Sequence, residues 1–303
     1  MTIQARQLHP LFVGEVSHID LRRPLDPQTF REIEALLDRY AVLVFHDQLL
    51  DDDQQIAFSR LFGPLETSIG TIRKDRQHRL RPELSDVSNL DANNTIRATT
   101  DRWRMMLLAN ELWHTDSSFR RAPAKISLLS AREVPLQGGE TEFADLRAAY
   151  DALDEETHTV IEPLVAEHSI FHSRSLIGYT EFSDEEREQL PPVPQTVVRR
   201  HPGSRRKTLY LASHASHIIG WPTDEGRALL IRLIEFSTQP RFVYQHRWRA
   251  GDLVVWDNRC TLHRARPYED TQHRRDMRRT TVADSAPTVQ NTRSDTAVEL
   301  STS

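Results

Sequence analysis

The sequence has a single cysteine, Cys260. A lone thiol forms no internal disulfide, so a disulfide-stapled scaffold is excluded and a reducing, cytoplasmic setting is expected. Long apolar runs are missing too: none approaches the roughly 18 residues of a membrane-spanning helix. The opening MTIQARQLHPLF shows no basic-then-apolar signal pattern. There is no basic excess, with 39 Lys and Arg against 44 Asp and Glu and a net charge of −5. Nucleic acid and membrane are therefore not expected partners. No internal repeat is found. Glycine is sparse, 10 in 303 residues, so the pair Gly138-Gly139 stands out as a turn.

What remains is a soluble globular profile, with 38% hydrophobic residues and a mean hydropathy of −0.57. The length suits one large domain or two small ones around a substantial core. PQTFREIEALLDRY carries Phe30, Ile33, Leu36 and Leu37 at helical spacing behind a start signal at Asp26-Pro27. AVLVF reads as a buried strand, and DDDQQIAFSRLFGPL as a second helix ended by Gly63-Pro64. Periodicity fades over about 67–110, where Arg73, Lys74, Arg76, Arg79 and Arg81 gather; a segment of this kind reads as a lid or binding loop. AKISLLSAREV reads as a strand and LRAAYDAL as a short helix.

The polar stretch of about 151–207 reads as an insertion. TLYLAS, RFVYQHRW, GDLVVWD, CTLHRA and RRDMRRTTV read as strands, and DEGRALLIRLIEFS as a helix whose leucine-rich face is core or a subunit contact. Residues 283–303 are poor in apolar side chains and read as a disordered tail. Strands late, helices early and inserted, predict a mainly β fold with helical additions (α+β), built on a jelly-roll core in a single domain over 1–282.

The candidate chemistry begins at NELWHTDSSF. On extended backbone, His114 and Asp116 face the same side and offer an imidazole nitrogen and a carboxylate oxygen to one point. Two histidines and one carboxylate on one face of a metal leave the other positions open for oxygen chemistry. The pair alone is weak, because His18-Ile19-Asp20 repeats it without a glycine turn or strand run close behind. His263, after a strongly apolar strand and a tight turn in WDNRCTLHRA, is the best third ligand. In HRRDMRRTT, Arg275, Met277 and Arg279 share one strand face. An arginine facing a barrel interior needs an anion, and its fork suits a carboxylate. An exposed basic edge strand is the competing reading.

In order and spacing, WHTDSSF, GGETEF, WDNRCTLHRA and RRxxRRTT resemble the taurine dioxygenase family of iron(II)- and 2-oxoglutarate-dependent oxygenases, over roughly residues 8–283. LHPLF, TEFADLRAAYDAL, HASH and FVYQHRW resemble its 2,4-dichlorophenoxyacetate dioxygenase branch. The resemblance implies a double-stranded β-helix core, with Fe(II) held by His114, Asp116 and His263. It implies that Thr141 and Arg275 bind 2-oxoglutarate, with Arg274 as the alternative register. It further implies O2 as co-substrate and a small anionic organic substrate met by Arg279, Asn110 and the Ser117 backbone, with Arg73 and Lys74 as further contacts.

His217, from SHASH, is a candidate for the substrate pocket, Trp113 for packing beside the ligands, and Cys260 for the core. The implied reaction hydroxylates the carbon beside an aryl ether oxygen and ends in a phenol, glyoxylate, succinate and CO2. The competing readings are the same chemistry on a sulfonate, sulfate ester or other small acid, and a zinc hydrolase with the same triad. A homo-oligomer is expected.

Overall fold

The computed structural model describes residues 3–72 and 77–289. Arg73, Lys74 and Arg76 lie outside these, as does 290–303, most of the expected tail.

From the N-terminus, strands β1 (Gln4–Gln7) and β2 (Gly14–Ser17) lead into helix α1 (Pro27–Tyr40). Asp26 caps α1 by accepting hydrogen bonds from the Gln28 and Thr29 amides, and Pro27 supplies a pre-set first turn. Strand β3 (Val42–Phe45) follows, then α2 (Asp52–Arg60), which starts in a reciprocal capping box between Asp51 and Gln54. The segment of faded periodicity holds a short β4 (Ser85–Asp86) and a helix not expected from sequence, α3 (Arg102–Leu107), capped by Asp101. Strands β5 (Ala124–Glu133) and β6 (Thr141–Asp145) precede α4 (Leu146–Asp151).

Residues 151–207 hold α5 (Glu155–Ile161), β7 (Val165–His168), α6 (Ile170–Ser175), α7 (Asp184–Gln189), β8 (Val193–Thr196), β9 (Val198–Arg200) and the start of β10 (Lys207–Leu209). The chain continues through β11 (Ala215–Ile218), α8 (Thr223–Ser237), β12 (Val243–His246), β13 (Leu253–Asp257), β14 (Thr261–Ala265) and β15 (Asp276–Ala283). Beyond Ala283, Thr288 still bonds β8, donating to Gln195 and accepting from the Thr196 amide. No helix among the described residues is long and apolar enough to cross a membrane.

The largest sheet runs β1-β2-β3-β13-β5-β15-β4, and a second runs β12-β6-β14. All pairings are antiparallel except β2 with β3. Strand β13 shows why the layers stack as they do. Leu253 and Val255 face α1 and α2, packing with Ile33, Leu37 and Phe58. Val254 and Trp256 face the other way, packing with Phe143 of β6 and Met277 of β15. A strand covered on both faces needs no polar alternation, which is why LVVW is continuously apolar. A third cluster joins α4, α8 and the elements of 151–207 through Leu146, Leu230, Ile161 and Val197.

The turn between β13 and β14 rests on one buried charge. Asp257 is fully buried and accepts from the Arg259 amide and guanidinium, while Thr261 Oγ1 donates to its backbone oxygen at 2.8 Å. His201 Nε2 donates to Asp257 at 2.9 Å, because its Nδ1 already accepts from the Ser204 amide. Burial alone would raise the Asp257 pKa; the Arg259 charge and hydrogen bond, then His201, outweigh it and hold it far below 3.8. A depressed folded pKa means that this stability is complete above the ordinary carboxylate range and is lost as pH falls through and below it. Asp257→Ala strands a buried arginine, so urea unfolding at neutral pH should show a loss of about 3–5 kcal/mol. That deficit should shrink as pH falls below about 4.

Candidate metal centre and active site

His114 and His263 are joined by a single antiparallel bridge, with the His114 amide donating to the His263 carbonyl at 3.0 Å and the reverse bond at 2.9 Å. Their ring centroids are 4.2 Å apart. The stretch around His114 is not the strand that its spacing suggests: beyond this one bridge the chain enters a turn at Asp116, with Ser117 at φ 51°. The turn still brings the carboxylate inward. Asp116 Oδ1 lies 3.9 Å from His114 Nε2 and 3.7 Å from His263 Nε2, and all three side chains are buried. The expected triad is therefore assembled.

Its electrostatics suit a cation. His114 Nδ1 donates to the Leu112 carbonyl at 2.8 Å, which leaves the Nε2 lone pair facing Asp116. Burial pushes the His114 pKa down to about 4 and that of His263 well below its usual value, so both imidazoles are neutral at physiological pH. Burial alone would raise the Asp116 pKa; the Arg279 charge leads the influences that outweigh it, and the carboxylate stays ionised. A polar chain aims it. Trp256 Nε1 donates to Asn258 Oδ1, Asn258 Nδ2 to Ser127 Oγ, and Ser127 Oγ to Asp116 Oδ2 at 2.7 Å.

The other expected residues divide. Arg279 pairs with Asp116, and Asn110 and Ser117 line the same pocket of about 50 Å3. Arg275 is buried, with Nη1 donating to the Val87 carbonyl, and among the described residues its Nε is unpartnered and no acid pairs with it. Arg274 is exposed and paired with Glu133, so burial selects Arg275 over Arg274 as the inward cation. Gly138 and Gly139, at φ 75° and 72°, form the turn that meets it; a Cβ on Gly138 would lie 2.6 Å from the Pro267 carbonyl oxygen. Thr141 is buried and its hydroxyl accepts from Trp248 Nε1 at 3.0 Å. Trp113 packs against the third core cluster under the Arg264 guanidinium. Cys260 is buried, and burial raises its thiol pKa.

One expectation is corrected, and one discounted pair stays apart. His217 sits on β11 beside Ser216 and Glu167, away from the pocket, whereas His214 lines it, since residues three apart on extended backbone diverge. His18 is exposed and Asp20 is taken by Arg22, so the second His-x-Asp does not converge. Sequence reasoning missed Ser127, Glu66 and Arg174. Ser127 looks like any buried strand residue until its partner is known. Glu66, held by Ser117 Oγ at 2.6 Å, has its pKa raised by burial against the pull of Arg120. Arg174 comes from the polar stretch read as an insertion, and no pattern there marks it.

Two imidazoles and a carboxylate converging on one point are the donor set of a facial-triad metal protein. The family model "Taurine catabolism dioxygenase TauD, TfdA family" matches residues 4–281. The chain belongs to that family. It is 48% identical to the alpha-ketoglutarate-dependent 2,4-dichlorophenoxyacetate dioxygenase of Cupriavidus pinatubonensis, over 94% of this chain and 99% of that one. It is 41% identical to the (S)-phenoxypropionate/alpha-ketoglutarate-dioxygenase of Sphingobium herbicidovorans, over 82% and 85%. The crystal structure of AAD-2 with Mn(II) and N-oxalylglycine superposes with a TM-score of 0.92 at 54% identity, over 95% of this chain and 100% of that one.

Removing the hydroxyl that aims the carboxylate should loosen the centre without removing a ligand. Ser127→Ala is expected to weaken divalent-metal affinity roughly 10- to 100-fold, read by metal titration of the apo protein.

Proposed function

We propose that this protein is an Fe(II)- and 2-oxoglutarate-dependent dioxygenase acting on an aryloxyalkanoate such as 2,4-dichlorophenoxyacetate. The observation that carries the reading is the convergence of His114, Asp116 and His263 in a chain that also buries an arginine, Arg275, with no acid paired to it among the described residues. The substrate class is supported by the relatives whose names specify phenoxyacetate and phenoxypropionate. The two largely antiparallel sheets that pack Phe143 against Trp256 support a double-stranded β-helix core. Ile69, Ser85 and Asn110 line the metal pocket, which supports a single catalytic domain in which 67–110 covers the site.

The donor set fits the metal: two neutral imidazoles with Nε2 turned inward and one ionised carboxylate. His114, Asp116 and His263 would hold Fe(II), which when bound couples O2 reduction to oxidative decarboxylation of 2-oxoglutarate. Arg275 and Thr141 would hold the distal carboxylate of 2-oxoglutarate. A cation buried this deeply is costly unless an anion meets it, so the site selects a diacid. Arg279, Asn110 and the Ser117 backbone would orient the substrate. The overall change adds one oxygen atom to the carbon beside the ether oxygen. The resulting hemiacetal collapses to a phenol and glyoxylate, and the second oxygen leaves in succinate beside CO2. The zinc hydrolase reading is disfavoured, because hydrolysis has no use for a buried diacid clamp.

Anaerobic addition of Fe(II) and 2-oxoglutarate should produce a weak visible charge-transfer band, and phenoxyacetate in air should release succinate and phenol together. Zinc binding with no such band would favour the hydrolase. Asp116→Ala should abolish turnover. Arg275→Ala should raise the 2-oxoglutarate requirement far more than the KM for phenoxyacetate, and equal effects on both would point to Arg274.

A further inference from the structure

Among the described residues five arginines are buried: Arg97, Arg147, Arg174, Arg259 and Arg275. Three of them have a carboxylate partner, Arg97 with Asp101, Arg147 with Asp145 and Arg259 with Asp257. Two have none. Arg275 is accounted for by the diacid it would clamp. Arg174 is not accounted for: its one side-chain hydrogen bond is from Nη1 to Ser173 Oγ at 3.2 Å, and its Nε has no partner.

Arg174 lines the metal pocket together with Asp116, His114 and Arg279. Its surroundings oppose its charge: burial, then the nearby Arg279, lower its pKa to about 10, only partly offset by Asp116. Three arginines line this pocket with two carboxylates: Arg120 pairs with Glu66 and Arg279 with Asp116, which leaves Arg174 as the cation without an acid among the described residues and marks a place for an anion. The pocket's volume of about 50 Å3 has room for a carboxylate rather than for a ring. The ring has a place close by. Ile170, one helical turn before Arg174 on α6, lines a second cavity of about 340 Å3, whose apolar part is Ile69, Trp103, Met106, Phe182 and Leu190 and whose remainder carries charged side chains, among them Asp91, Arg97 and Glu186. Ile69 borders both cavities. Residues four apart share a helix face, so α6 presents an apolar contact and then a cation along one line, matching an apolar tail that ends in an acid.

We propose that Arg174 binds the substrate's carboxylate, forming with Arg279 a two-arginine clamp across the metal pocket, with the aryl group in the cavity bordered by Ile170. The clamp rests on the aryloxyalkanoate reading above and adds the residue that discriminates acid from neutral analogue. Phenoxyacetamide keeps the aryl ether and one carbonyl oxygen of phenoxyacetate but replaces the charged oxygen with a neutral NH2 group, which makes the pair the probes.

The test is calorimetric titration of both ligands into the Fe(II)- and 2-oxoglutarate-loaded protein without oxygen, for wild type, Arg174→Met and Arg174→Lys. Wild type should prefer the acid. Arg174→Met should weaken acid binding roughly 10- to 100-fold, the loss expected for a charged hydrogen bond, and leave the amide unchanged. Arg174→Lys should recover part of the preference. Because the guanidinium is buried without an acid, Arg174→Met should leave the melting temperature unchanged or raise it. An equal loss for acid and amide with a lower melting temperature would make Arg174 a packing residue and overturn the clamp. Unchanged acid binding in Arg174→Met would overturn it as well. No acid preference in the wild type would overturn the aryloxyalkanoate reading together with the clamp.

Discussion

The centre depends on a pair of backbone hydrogen bonds. The reciprocal amide–carbonyl bonds between His114 and His263 hold two residues far apart in sequence at a fixed separation. Once those Cα positions are set, each imidazole needs only its tautomer chosen, and the Leu112 carbonyl does this for His114. The carboxylate arrives on a turn instead of a strand and relies on side-chain bonds from Ser127, themselves anchored through Asn258 to Trp256. Backbone places the nitrogens, and side chains place the oxygen.

Around this centre, charge is partitioned by depth. Arginines that only build the fold are paired locally, as Arg259 with Asp257 two residues away and Arg147 with Asp145 two residues away. Three arginines depart from this: Arg275 and Arg174 lack acids among the described residues, and Arg279 leans on the metal-binding carboxylate of Asp116. A buried cation without a partner destabilises a fold, and its retention beside a cavity is the physical mark of a ligand that brings the missing charge.

Much of this was legible in the sequence where periodicity or spacing carries it. The α1 boundaries follow from Asp26-Pro27 and the Ile33–Leu37 stripe, β13 from its unbroken apolar run, and the triad from His-x-Asp with a later histidine. The remainder depends on long-range packing, which leaves no local trace. Helix α3 is short and capped by Asp101 inside a stretch without pattern. His214 and His217 look equivalent in SHASH, and only the pairing of β11 with β7 turns one inward and the other toward Glu167. Arg174 in HSRS looks like solvated surface until α6 is seen against the pocket.

Strand β13 separates two kinds of constraint. Its Leu253 and Val255 side answers to the helices of the outer layer, and its Val254 and Trp256 side to the residues that steady the metal ligands. Neighbouring residues of one strand thus carry different consequences: a change on the helix-facing side acts on the stability of the fold, while a change at Trp256 also reaches the hydrogen bonds that aim Asp116.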